Sequence, residues 1–343
     1  MRFTSRTAAS LLMIIVCASC SDYSPASGVP DPPDPLEDGL WTTSGIPSAI
    51  LRLTSEQLQA SDSVTPATRI TTSSASLTGF NSLAFDADGT LWMTSQSDSQ
   101  LVAFSPSALA TSGLRVASKV IKSAQGSLDA PSALAFDASH ALWVANTNNG
   151  TIVRYDAQRL AAGGSVTPSV VLSGLGRPTG LAFDAAGGLW FSEGSAHRVA
   201  KFSAAQLVAS GFILPQVVLT SNGPDITNPI GLAFDRAGNL WIANAGLSDV
   251  IALHANHLAT TGLVNADVVI ASSATFPQLP LGLAFDDHEN LWVAYAEGQL
   301  VRYDHATIAT SGDPTPAVRL VIQDHVEFRT PAFWPKPAGL PLN

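Results

Sequence analysis

The sequence predicts an all-β chain, a six-bladed β-propeller with four-stranded blades whose first blade is closed by the C-terminal strand. Two observations predict it. A string of the form GLAFDAAGGLW (180–190) recurs as SLAFDADGTLW, ALAFDASHALW, GLAFDRAGNLW and GLAFDDHENLW. The aspartates are Asp86, Asp137, Asp184, Asp235 and Asp286, spaced by 51, 47, 51 and 51 residues, and Trp92, Trp143, Trp190, Trp241 and Trp292 follow in step. A period near fifty with turn signals between short apolar runs is the mark of propeller blades.

One unit shows the strands in order. PSALAFD reads as a strand, DASH as a tight turn and ALWVAN as a second strand. NTNNG is a turn and TIVRYD a β-branched third strand. DAQRLAAGG predicts one or two helical turns, started by Asp156 and stopped by Gly163 and Gly164. TPSVVL is the fourth strand. Residues 39–71 align with strands two to four of the unit that begins at 188, with Trp41 as the blade tryptophan. The first strand of that blade is then expected from the other terminus. KPAGLPLN (336–343) aligns with RPTGLAFD (177–184), so the last residues are expected to complete the ring and remove exposed sheet edges.

Ahead of the propeller (38–343) the chain divides in two. Residues 1–19 read as a signal peptide, with Arg2 and Arg6 before a short apolar run centred on LLMIIV. Cys17-Ala18-Ser19-Cys20 resembles a bacterial lipobox, which implies lipidation at Cys20. The Pro-, Asp- and Ser-rich stretch from Cys20 to residue 37 predicts an extended tether. These features predict an exported protein, lipid-anchored to a bacterial membrane and facing the periplasm or cell surface. Only 13% of residues are charged and the net charge is −10. That balance lacks the clustered basic residues of a nucleic-acid binder.

The repeated aspartate reads as scaffold. D-A-D-G, D-A-A-G and D-R-A-G are type I turn sequences in which the carboxylate accepts from the backbone two residues on. Chemistry is needed once, not five times. The tryptophans are expected to pack between blades.

Function is therefore expected where blades differ, on the top face formed by the turns from strand two to three and from four to the next one. Three residues after each tryptophan stand Ser44, Ser95, Asn146, Glu193, Asn244 and Tyr295, which predict a polar ring with a single carboxylate. Incoming loops add Asn81, Asp129, Arg177, Asp225, Asn228 and Lys336. The long connection 323–339 is expected to bring His325, Glu327, Arg329, Phe333 and Trp334 to the same face, a composition suited to binding.

The strings P-x-G-L-A-F-D and G-x-L-W-V-A, which cover 38–343, resemble NHL-repeat propellers and the related senescence-marker and gluconolactonase group. In gluconolactonase relatives the resemblance implies a divalent metal, held by Glu, Asn and Asp just before the glycine of strand one. Those positions here are Asn81, Ser132, Thr179, Ile230, Leu281 and Ala338, which include no carboxylate. LWFSEGSAHRV (189–199) is similar to streptogramin-lyase strings and implies Glu193 and His197 as a candidate acid–base pair.

The reading drawn from these residues is a lipid-anchored binding module. It takes a small ligand, a glycan or an envelope protein at its top face and needs no cofactor. The alternative is a lactonase- or lyase-type enzyme using a divalent metal such as calcium or magnesium.

Overall fold

The computed structural model describes residues 36, 38–46, 48–72, 79–221, 223, 225–271, 278–322, 326–338 and 340. The signal peptide, Cys20, most of the tether and His325 lie outside these residues, as do the side chains of Val326 and Glu327. Among the described residues no helix is long and apolar enough to cross a membrane.

Six antiparallel meanders surround a channel. Blade four shows the rule, with Pro178–Phe183, Leu189–Glu193, Arg198–Phe202 and Val217–Thr220 paired in that order. Strand two of this blade, LWFSE, is buried throughout because each face packs on a neighbouring blade. The innermost strands, Phe80–Phe85, Pro131–Phe136, Pro178–Phe183, Pro229–Phe234, Pro280–Phe285 and Val326–Trp334, touch one another in a closed ring. Glycines set how close they come. A Cβ on Gly180 would lie 2.0 Å from the Ile230 carbonyl oxygen, and one on Gly282 would lie 2.3 Å from that of Arg329.

The C-terminal strand does close blade one, by pairing Val326–Trp334 with Gly39–Ile46. The closing segment is not 336–343. Leu40 faces Phe333 and Trp41 faces Ala332, just as Leu189 faces Phe183 and Trp190 faces Ala182. TPAFW (330–334) is therefore the sixth copy of GLAFD, with Trp334 in the place of the aspartate. Residues 336–338 and 340 form no strand.

Five of the six sheets carry a fifth strand instead of the expected four. After each helical turn a short extended segment pairs in parallel with the outer strand of the preceding blade. Gly113–Arg115 joins Thr68–Thr72, Gly164–Val166 joins Lys119–Ser123, Gly211–Phe212 joins Val170–Ser173, and Gly262–Leu263 joins Val217–Thr220. Asp62–Val64 of blade one joins Leu320–Ile322 of blade six, a second closure on the outside of the ring. Among the described residues, blade five has only the bridge from Ile270 to Gly312. These segments cover edges that would otherwise present unpaired backbone. The expected helix is Ala157–Ala162, capped by Asp156, whose side chain accepts from the Arg159 amide.

The aspartate turns form as expected, and they do more than the sequence indicated. Asp184 Oδ1 accepts from the amides of Ala186 and Gly188, while Oδ2 accepts from Trp190 Nε1 at 2.9 Å. The same indole-to-carboxylate bond, 2.9–3.1 Å long, recurs at Trp92–Asp86, Trp143–Asp137, Trp241–Asp235 and Trp292–Asp286. The constant six-residue spacing was the available sequence signal. Tryptophans also meet the next blade edge-on, as Trp190 does Phe234 at 6.3 Å and Trp292 does Phe333 at 6.3 Å. Blade one has Trp334 in place of the carboxylate, and fully buried Trp41 has an Nε1 with no hydrogen-bond partner among the described residues.

Candidate functional site: the central channel

The expected polar ring is a set of buried braces. Asn146 Oδ1 accepts from the Asp129 amide, and its Nδ2 donates to Ser127 O and Thr151 Oγ1. Asn244 repeats the pattern with the Thr227 amide, Asp225 O and Asp249 Oδ1. Glu193 is fully buried, accepts from the Gly176 amide and forms an ion pair with Arg198. In each case the last residue of strand two fastens the loop entering its own blade, two residues before the proline of strand one. Tyr295 is buried against Tyr303, and burial, with Tyr303 and Asp249 nearby, raises its phenol well above the usual range. Asn146, Glu193, Asn244 and Tyr295 do not line the channel, which corrects their expected placement.

Nor are Glu193 and His197 brought together as an acid–base pair. His197 is exposed at a left-handed turn position, and its Nδ1 accepts from the Asn228 amide of the next blade at 3.0 Å. Glu193 reaches the opposite way, to the loop before Pro178. Arg177 and exposed Asn228 lie on the top rim outside the channel wall. Trp334 is at the bottom end, not the top, because its strand runs downward to face Gly39. There it packs on Phe85, with ring centroids 5.1 Å apart. Lys336 is also at the bottom.

The channel has a volume of about 280 Å³. One residue per inner strand rings its top mouth, each following the residue that pairs with the end of strand two. These are Asn81, Ser132, Thr179, Ile230, Leu281 and Arg329. Of the residues expected to bind at the top face, Asn81 and Arg329 are among them. The sixth position is Arg329, not Ala338, because the closing strand is Val326–Trp334 rather than 336–343. Ser132 and Thr179 donate to the carbonyls of Pro178 and Pro229, stapling neighbouring inner strands. Below the ring the wall is apolar, with Leu83, Leu181, Leu232 and Leu283.

The C-terminal segment crosses the bottom mouth. Arg236 donates through Nε to Ala338 O and through its two terminal nitrogens to Asp287 O and Glu289 Oε1. The Ala338 amide donates back to Asp287 Oδ1 at 3.2 Å. Pro337 and Leu340 line the lower end of the channel. Lys336 is exposed as a residue, yet desolvation by the protein around it lowers its ammonium pKa to about 8. A wider groove of about 680 Å³ lies on the bottom rim beside Trp143, Arg154 and Val208. Its carboxylates, Asp137, Asp184 and Asp235, are engaged by the tryptophans.

With this geometry in hand, the sequence between residues 46 and 222 matches the SMP-30/Gluconolactonase/LRE-like region. The chain belongs to the SMP-30/gluconolactonase/LRE-like family. No curated protein matches it. Among solved structures, a protein of unknown function from Bacteroides caccae superposes with a TM-score of 0.60 at 11% identity, over 87% of this chain and 99% of that one. A nidogen/laminin complex gives 0.57 at 14% identity, over 86% and 97%. A streptogramin B lyase gives 0.52 at 13% identity, over 73% and 71%. At such identities the likeness is one of fold.

The metal that the family resemblance implies does not fit these residues. A hard divalent cation needs several oxygen ligands, usually with carboxylates among them. The mouth ring offers one amide, two hydroxyls, two aliphatic side chains and a guanidinium that repels cations. Among the described residues no cluster of three His, Cys, Asp or Glu side chains is placed to hold an ion.

Proposed function

We propose that this SMP-30/gluconolactonase-like chain is a binding propeller that takes a small ligand into the top mouth of its central channel. The observation that supports this most is the mouth ring, which places Arg329 where a metal-dependent relative would need acidic ligands. Glu193, the carboxylate nearest to this role in the sequence, is spent on Arg198 and the Gly176 amide. Pro337 and Leu340 line the lower end of the channel, and a concave pocket with mixed apolar and polar walls suits a small ligand. The lipobox-like Cys20 and the Pro-rich residues after it support export and display on a membrane.

Native mass spectrometry of protein purified without chelator tests the binding reading. The expected result is protein that carries no stoichiometric divalent metal, either bare or with one organic ligand. One bound divalent ion per chain would overturn it in favour of a metal-assisted enzyme. Display is tested by fractionation, where Cys20→Ala is expected to move the protein from membrane to soluble fraction.

A further inference from the structure

We propose that Lys336 is a covalent capture site, at which its side-chain amine condenses with an aldehyde whose apolar body lies along the central channel. This rests on the reading of the channel as a ligand pocket and adds the chemical class of the ligand.

Three observations carry it. First, Lys336 lines the channel and the other lysines do not. It does so together with Phe85, Phe285, Phe333 and Leu340. Lys201 is ion-paired with Asp184 at 2.6 Å, and Lys119 and Lys122 are exposed on the outer strand Lys119–Ser123. Second, the surroundings of Lys336 favour the neutral amine. No carboxylate or imidazole is among the described residues that line the channel, and desolvation by itself brings the ammonium down to about 8. At pH 7.5 about a quarter of such amines are neutral, against roughly one in 800 for an ordinary lysine. Third, the backbone presents the side chain at a fixed place. Lys336 stands between Pro335 and Pro337, and a proline restricts both its own φ and the residue before it. Ala338 is tied through its carbonyl to Arg236 and through its amide to Asp287.

The reaction balances without a redox partner. The amine nitrogen adds to the carbonyl carbon, and a proton passes from nitrogen to the carbonyl oxygen. Loss of that oxygen as water leaves a C=N bond, so one amine and one aldehyde give one imine and one water. A neutral amine is the reactant the protein must supply, and a desolvated lysine supplies it. The leucines of the channel wall suit an alkyl or aryl chain on the aldehyde.

The test incubates purified protein at pH 7.5 with straight-chain aldehydes from propanal to octanal and with cyanoborohydride, which reduces an imine to a stable secondary amine. Peptide mass spectrometry then reads the site. The expected result is one alkyl group per chain on Lys336, roughly tenfold or more above each of Lys119, Lys122 and Lys201, well within the advantage in neutral amine. Labelling of Lys336 is expected to rise with chain length. Excess octan-1-ol, which can fill the channel but cannot condense, is expected to slow it. Lys336→Arg is expected to remove this adduct and leave the others unchanged, and its unfolding midpoint reports on folding.

Adducts spread evenly over the four lysines would overturn the proposal. So would a preference for Lys336 that ignores chain length and octan-1-ol, because it would mark a reactive amine outside any ligand pocket. Calorimetry with octan-1-ol separates this failure from that of the binding reading. One alcohol bound per chain with no Lys336 adduct would overturn the imine site and leave a channel binder. Neither alcohol nor adduct would overturn the imine site together with an apolar ligand in the channel.

Discussion

Asp184→Ala should weaken the fold by several kcal/mol without touching the channel. The carboxylate has four partners. Oδ1 accepts from the Ala186 and Gly188 amides at 3.0 and 2.8 Å. Oδ2 accepts from Trp190 Nε1 at 2.9 Å and faces Lys201 Nζ at 2.6 Å. Trp190 is fully buried, so its abandoned indole N–H costs about 1–3 kcal/mol. The turn amides can turn to water, at about 0.5–1.5 kcal/mol each. The sum is roughly 2–6 kcal/mol, with the lysine contact adding little at a partly exposed site. Urea unfolding followed by tryptophan fluorescence would read this as a clear fall in midpoint. Asp184→Asn should fall in between, because one amide cannot serve both the turn and the indole. A loss under about 1 kcal/mol for the alanine variant would refute the argument that this carboxylate is structural.

Blade one supplies a natural control. Trp41→Phe removes no hydrogen bond, so it should cost about 1–3 kcal/mol less than Trp190→Phe in the same unfolding assay. Acid should act through the same carboxylates. Burial pushes Asp137 and Asp184 upward, but hydrogen bonds from Ser139, Trp143, Ala141 and Arg154, and from Lys201, Gly188 and Trp190, outweigh it and hold both low. Their stabilisation is complete above about pH 4, the unfolded value, and is lost as pH falls through the lower folded values. A midpoint that stays flat from pH 5 to pH 2 would contradict this. Lys336 should be the lysine most reactive to acetic anhydride at pH 8, with about half its amines neutral against roughly one in 250 for an ordinary lysine. Peptide mass spectrometry would identify it. Removing residues 326–343 should expose Gly39–Ile46 as an edge and yield aggregated protein on size-exclusion chromatography.

The blades were legible because the turn chemistry of D-x-x-G and the tryptophan six residues on are local and repeat. The closing strand was not, because its marker aspartate is replaced by Trp334 and a Pro-Ala-Gly-Leu string a few residues later carries the motif by chance. The same displacement makes Arg329 read as a top-face loop residue, whereas it stands on the closing strand at the channel mouth. The ends of strand two were legible as polar but not as buried. Asn146, Glu193 and Asn244 sit where alternation gives no sign of whether a side chain meets solvent, the channel or the adjoining loop. The backbone groups that they brace lie seventeen or more residues away.

The position of the first strand has a mechanical consequence. Gly39–Ile46 is flanked on one side by Val326–Trp334 and on the other by Ala49–Leu53. Ladder hydrogen bonds run perpendicular to the strands. A pull along the chain from the N-terminal side therefore loads both ladders in shear, many bonds at once, and cannot peel them singly. A protein drawn by that end would hold its ring under traction.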